Sequence, residues 1–295
     1  VFTPKDHPVL QARRLAFWQA VTDRYADAFY RQLTTWADEH GLIYTCDCFS
    51  EASQTLMYMG DYFKCTQHYQ MPGLDSLHQP HWGHEEFYKS PKFPASAARM
   101  QGETVRCLAE GPGLLGWDST LEDLRFTSDW LYVFGVNRVV PNAFHYTLDH
   151  EQLYETPSYF FQWTLWPLYK NWDAYVKRLG RYLTAGRRRT SVAMLYPTDT
   201  LMAGFRPIVP ARRNVFTDGA STQRCYDELV RTANALLHCQ WDFDYVSAPW
   251  LLEQDAGKGV LPVGDEQVQV LLLAGHRVVR REVVEALRLF IAGGG

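Results

Sequence analysis

The sequence has little that would tie it to a membrane, a nucleic acid or a metal. No apolar run approaches the ~20 residues that span a bilayer. The net charge of −4 leaves no broad basic surface for phosphates or anionic lipid. The one basic run, Arg187 to Arg189, is short and falls in a turn between an expected helix and an expected strand. The six cysteines are Cys46, Cys48, Cys65, Cys107, Cys225 and Cys239. None has the C-x-x-C spacing of zinc or redox motifs, and Cys46 and Cys48 share one face of a strand, a poor geometry for a mutual bridge. They are expected as mostly buried thiols in a reducing compartment. A bacterial cytoplasm or periplasm is expected, with the choice left open. No secretory leader is legible at Val1, and the chain stops at Gly295 directly after a helical pattern.

What the chain does have is apolar and aromatic bulk. Of 295 residues, 46% are hydrophobic and 15% aromatic, with Trp 10 and Tyr 17. That is ample for a large core or for two domains. Aromatics in this number suit stacking on sugar rings, and they suit a dense core equally well.

Hydrophobic periodicity predicts one helix over residues 8–40, ended by Gly41, and then a strand over Ile43 to Phe49. Alternation puts Asp47 and Glu51 on one face of that strand. A second strand is expected from Phe63 to Met71. A small helix follows from Pro94 to Gly102. The run from Thr104 to Trp117 reads as a buried strand that breaks at Gly111-Pro112-Gly113, with Glu110 as its last residue. Ser119-Thr-Leu-Glu122 reads as a capping box, and Val136 to Tyr146 as a fourth strand. After an aromatic connection from Pro157 to Pro167 the alternation resumes. Helices are expected over Tyr169 to Ala185, Gln223 to Leu237 and Arg281 to Ala292. Strands are expected over Thr190 to Tyr196, Phe243 to Ser247 and Gln267 to Ala274.

Strict alternation implies parallel sheets with crossover helices. The predicted fold is α/β: a partial (β/α)8 TIM barrel over residues 1–168, its carboxyl-terminal half, then a flavodoxin-like domain over 169–295. Each unit shows fewer strands than its fold needs. The expectation is a fragment of a longer protein that alone would self-associate through raw sheet edges and stay inactive.

The chemistry is expected where strands give out. A carboxylate there is costly unless it is paired, hydrogen-bonded or in use, and α/β folds place their sites at the carboxyl ends of parallel strands. Glu110 is the leading candidate; its bland alternative is a rim residue tied to an arginine such as Arg99. Glu51 and Glu110 together supply the two carboxylates of glycoside hydrolysis. Asp47, His68, Asp75, Trp117, His145 and Tyr146 lie at or beyond predicted strand ends as substrate-binding candidates. His78, His81 and His84 are three apart, but Pro80 and Gly83 break any helix that would aim them at one ion, so no metal is assigned. Trp163 and Trp166 read as packing residues.

The segments CDCFSE (46–51), MPGLDSL (71–77), KFPASAARMQG (92–102), CLAEGPGLLGWDSTLEDL (107–124) and GVNRVVPNAFHYT (135–147) resemble the catalytic barrel of the α-L-rhamnosidase family, glycoside hydrolase family 106, and its relatives. The stretch 172–197 is similar to the helix and strand after that barrel, and leads into a region like the glutamine-amidotransferase-like domain of β-galactosidases. The resemblance implies a carbohydrate substrate, catalytic Glu51 and Glu110, an inverting reaction, and no cofactor apart from the calcium that some relatives carry. The sequence departs from the rhamnosidase pattern at Asp47-Cys48, where a Gly-His pair is expected. A retaining β-galactosidase- or uronidase-like enzyme and a non-catalytic carbohydrate-binding barrel are the alternatives.

Overall fold

The computed structural model describes residues 7–48, 56, 58–76, 91–102, 104–149, 156–206 and 219–295. The chain opens with a helix over Pro8–Tyr25. His7 caps it, its ring nitrogen accepting from the Val9 amide at 3.2 Å, and Pro8 sits where a missing amide costs nothing. A wider turn over Ala26–Arg31 follows, then a helix over Gln32–Glu39. Gly41, at φ +65, lets the chain leave.

The first sheet holds β1 (Gly73–Asp75), β2 (Leu108–Glu110) and β3 (Arg138–Val140), parallel and in that order. The register aligns Asp75 with Glu110 and Glu110 with Val140. Along the free edge of β1 runs the extended segment 44–48. Thr45 bridges Met71 in parallel, and the amides of Met71 and Asp75 donate to the carbonyls of Tyr44 and Cys48. The approach is so close that a Cβ on Gly73 would lie 1.9 Å from the Cys46 carbonyl oxygen. Crossover helices over Lys92–Gln101 and Leu121–Val133 join the strands. Ala109 packs against Leu131 and Val136 on the helical side. Because strand neighbours alternate, Leu108 and Glu110 face away from that layer.

The second sheet centres on β4 (Val192–Leu195), flanked in parallel by β5 (Asp244–Val246) and β8 (Val270–Leu273). All four residues of β4 are buried, as expected for a parallel strand covered on both faces. In chain order the strands lie 2-1-3, as at the start of flavodoxin-like sheets. A hairpin of β6 (Leu261–Val263) and β7 (Glu266–Val268) stands beside it.

The largest core takes residues from both sides of position 168. Phe63 and Phe93 stack at 5.6 Å, and Phe93 meets Tyr196 at 5.4 Å and Tyr245 at 4.9 Å. The first helix joins across the same line, where the Trp18 indole donates to the Phe205 carbonyl. Close to these rings lies a charged knot. Asp244 is fully buried between Arg99, at 2.9 Å, and Arg188, at 2.7 Å. Lys92, also fully buried, pairs with Asp242. Burying charges is tolerable only with such pairing.

Several expected elements differ. The strand expected over Phe63 to Met71 is a short helix, Tyr62–Thr66, because the buried Asp61 carboxylate caps it by accepting from the Phe63 and Lys64 amides; the strand follows at Gly73. The capping box lies one residue later than the sequence pattern suggests. Thr120 accepts from the Asp123 amide, and the Asp123 carboxylate accepts from the Thr120 amide. The strand expected over Gln267 to Ala274 divides at Gln269: Gln267 and Val268 belong to β7, which folds back on β6 across the two-residue turn Gly264-Asp265, and Val270–Leu273 forms β8 of the parallel sheet. In the first helices Val21, Phe29, Leu33 and Trp36 are exposed. Four-residue steps advance about 40° each around a helix of 3.6 residues per turn, so a run spaced 21, 25, 29, 33 drifts off the buried face.

Candidate active site

Three carboxylates stand at the carboxyl ends of adjacent extended segments. Asp47 comes from segment 44–48, Asp75 from β1 and Glu110 from β2. Thr45 and Asp47 alternate with Tyr44, Cys46 and Cys48, which pack into the main core. Asp47 is thus directed to the opposite, open face, where it is exposed.

The backbone holds Glu110 from both sides. Its carbonyl accepts from the Ser76 amide at 2.9 Å, and the next amide, of Gly111, donates to Val140 at 2.7 Å. A Cβ on Gly111 would lie 2.4 Å from the Ser76 carbonyl oxygen, so only glycine lets the chain turn there. The side chain is half-buried. Asn142 Nδ2 donates to Glu110 Oε1 at 2.7 Å, and the Asp47 carboxyl shares a hydrogen bond with Glu110. Partial burial pushes the Glu110 carboxyl up to about 7; the Asp47 hydrogen bond and the charges of Asp47 and Asp75 push the same way, while the Asn142 amide opposes them. A carboxyl group placed so is about half protonated at neutral pH and can donate a proton to a leaving oxygen or take one from water. Arg99 is not its partner, being engaged with Asp244.

The remaining candidates divide. Glu51 lies outside the described residues, as do His78, His81 and His84. Trp117 sits in the loop that leaves β2, 41% exposed. His145 and Tyr146 lie in the loop that leaves β3. The His145 amide donates to Ser158 Oγ at 3.0 Å and its carbonyl accepts from Gln162, while Tyr146 is 93% exposed. These three belong to the same end of the sheet as the carboxylates. His68 does not. It follows the helix Tyr62–Thr66 in the turn ahead of β1, at the amino end, and its carbonyl accepts from Thr34. The expected strand placed it at a carboxyl end; the capped helix displaces it. Trp163 is buried against Leu124, Tyr159 and Trp172, a packing residue. Asn142 was not foreseen; its one signal is an amide two residues past a strand end. Among the described residues no group of three His, Cys, Asp or Glu side chains is placed to hold a metal, and no helix is long and apolar enough to cross a membrane.

No protein-family model matches the chain, and no curated protein matches it. Solved structures do. A rhamnosidase from Novosphingobium sp. PP1Y superposes with a TM-score of 0.66 at 18% identity, over 94% of this chain and 25% of that one. Gan42B, a GH42 β-galactosidase from G. stearothermophilus, gives 0.64 at 14% identity, over 99% of this chain and 41% of that one. A β-galactosidase from Bacillus circulans sp. alkalophilus gives 0.55 at 14% identity, over 79% and 34%. The chain therefore spans between a quarter and two-fifths of the length of these neighbours. At such identities the likeness shows a shared fold with these glycoside hydrolases and no more.

Proposed function

We propose that the chain carries part of a glycosidase catalytic barrel, over residues 1–168, with a flavodoxin-like accessory unit over 169–295, and that Glu110 is its proton-donating carboxylic acid. The observation that carries this reading is the Glu110 carboxyl, raised to about 7 at the carboxyl end of a parallel strand and held by Asn142 and Asp47. The substrate is a terminal glycoside of plant or microbial origin, α-L-rhamnoside-like by sequence resemblance. Asp75, Trp117, His145 and Tyr146 form the rim that receives it.

Asp47 is not the second catalytic carboxylate. Two carboxyls in hydrogen-bond contact leave no room for a bond to be cleaved between them, which needs roughly 6.5–9.5 Å in inverting enzymes and about 5–5.5 Å in retaining ones. Asp47 instead tunes Glu110. In the inverting, rhamnosidase-type reading the base that activates water is Glu51, as the sequence resemblance implies. A retaining, β-galactosidase-type reading is favoured by a different feature. Asp75 and Glu110 are in register on neighbouring parallel strands, so their side chains leave the sheet on one face, as the close carboxylate pair of a retaining enzyme must.

The test is hydrolysis of 4-nitrophenyl α-L-rhamnoside and β-D-galactoside by the protein at the length its source cell makes, with the product anomer followed by NMR. The leading reading expects rhamnoside cleavage with inversion, and a loss of at least ~100-fold in Glu110→Gln. Cleavage of the galactoside with retention supports the second reading. Cleavage of neither overturns both and leaves a carbohydrate-binding barrel; full activity in Glu110→Gln removes Glu110 as the acid.

A further inference from the structure

A second concavity lies at the opposite end of the first sheet. Its volume is about 750 Å³, within the ~300–1,000 Å³ of small-ligand pockets. Arg106 and Cys107, ahead of β2, and Asn137, ahead of β3, lie in its lining. Arg106 is four residues before Glu110, roughly 13 Å along an extended chain at ~3.3 Å per residue. The two concavities are therefore separate, and a ligand in the second would bind whether or not the first cleaves glycosides.

Its walls are apolar. Ala98, Val105 and Val136 face Leu179 and Leu183 of the helix Tyr169–Ala185. Leu183 and Tyr182 are exposed beside it, Tyr182 at 84%, so an apolar wall and an aromatic ring are left in water at its mouth. Its charge is lopsided. Four arginines line it against two aspartates, Asp129 and Asp242. Arg99 and Arg188 are committed to the buried Asp242–Asp244 knot, and Arg187 pairs with Asp265 at 3.1 Å. Asp129 accepts from the Tyr175 hydroxyl. Arg106, half-buried, is the lining cation with no ion-pair or hydrogen-bond partner among the described residues.

We propose that this cavity binds a small amphipathic anion, a carboxylate carried on an apolar ring, with Arg106 meeting the carboxylate and Leu179, Leu183 and Tyr182 meeting the ring. A guanidinium presents a planar fork that matches a carboxylate. One uncommitted cation matches one negative charge, which favours a monoanion over a phosphate dianion. Apolar surroundings strengthen that pair and supply area for the ring.

The probe is 2-naphthoate, titrated calorimetrically into the 295-residue chain, with 2-naphthalenemethanol as its uncharged counterpart. Saturable one-to-one binding of naphthoate is expected. Arg106→Gln should weaken it at least tenfold and leave the weaker binding of the alcohol unchanged. Leu183→Glu, at an exposed position on the opposite wall, should weaken naphthoate several-fold by adding like charge. A cooperative melt of each variant separates lost binding from lost folding; if Arg106→Gln does not fold, Leu183→Glu decides. No saturable naphthoate binding, or binding that the folded variants leave unaltered, overturns the proposal.

Discussion

Asn142 Nδ2 lies 2.7 Å from Glu110 Oε1, and this contact works against everything else around that carboxyl. The amide donates to the charged form and stabilises it, whereas burial, Asp47 and Asp75 favour the neutral form. The balance stands near neutrality, where a group that must give and regain a proton is most effective. Asn142→Ala removes the opposing contact. The Glu110 midpoint should rise further, and the alkaline limb of any pH–rate profile should move up with it. A profile that moves down would assign Asn142 another role.

Asp47→Asn acts in the opposite direction. It removes the like charge and leaves a group able to donate, so the Glu110 midpoint should fall toward its ordinary 4.5. In a rate assay the acid form would then be lost at lower pH. An unchanged profile would mean that Asp47 does not tune Glu110.

The same carboxyl links stability to pH. Its folded midpoint, about 7, exceeds its ordinary value of 4.5, so between these the unfolded chain gives up the proton first. The contribution is complete below about 4.5 and lost as pH rises through about 7. Thermal melts of Glu110→Gln should lose that part of the pH dependence and gain stability relative to wild type above about pH 7. Parallel melting curves across this window would contradict the shift.

The buried knot should be sensitive to the loss of one member. Asp244→Ala leaves Arg99 and Arg188 without their shared carboxylate, and breaking a buried pair this way costs about 3–5 kcal/mol. A denaturant midpoint within the scatter of wild type would show that water replaces the carboxylate without penalty. Gly73→Ala should be at least as damaging, because its Cβ would overlap the Cys46 carbonyl oxygen and force segment 44–48 off the sheet that positions Asp47.

Much of this was legible in the residues. The break at Gly111-Pro112-Gly113 marked Glu110 as a strand end, and alternation along 44–48 set the face of Asp47. The helices over Tyr169–Ala185 and Arg281–Ala292 have the limits their sequences suggest, because their stripes are regular and their ends are marked by glycine. What failed was decided by single polar contacts. Asp61 turns an apolar, strand-like run into a helix and carries His68 to the wrong end of the sheet. The run over Gln267 to Ala274 divides at Gln269, its first residues drawn into a hairpin with β6 and the rest into a parallel strand. Asn142 could not be foreseen, because an amide two residues past a strand end matters only once the register brings β3 beside β2. The knot of Lys92, Arg99, Arg188, Asp242 and Asp244 joins positions some 150 residues apart in the chain, beyond the reach of any local pattern.

The acid catalysis proposed for Glu110 turns on the protonation of that one side chain. Carbon-13 NMR of the Glu110 carboxyl in the 295-residue chain, assigned by loss of its signal in Glu110→Gln, measures that directly. The predicted result is a midpoint of about 7 that falls in Asp47→Asn. A midpoint at the ordinary 4.5, indifferent to Asp47, would contradict it and remove Glu110 as the acid.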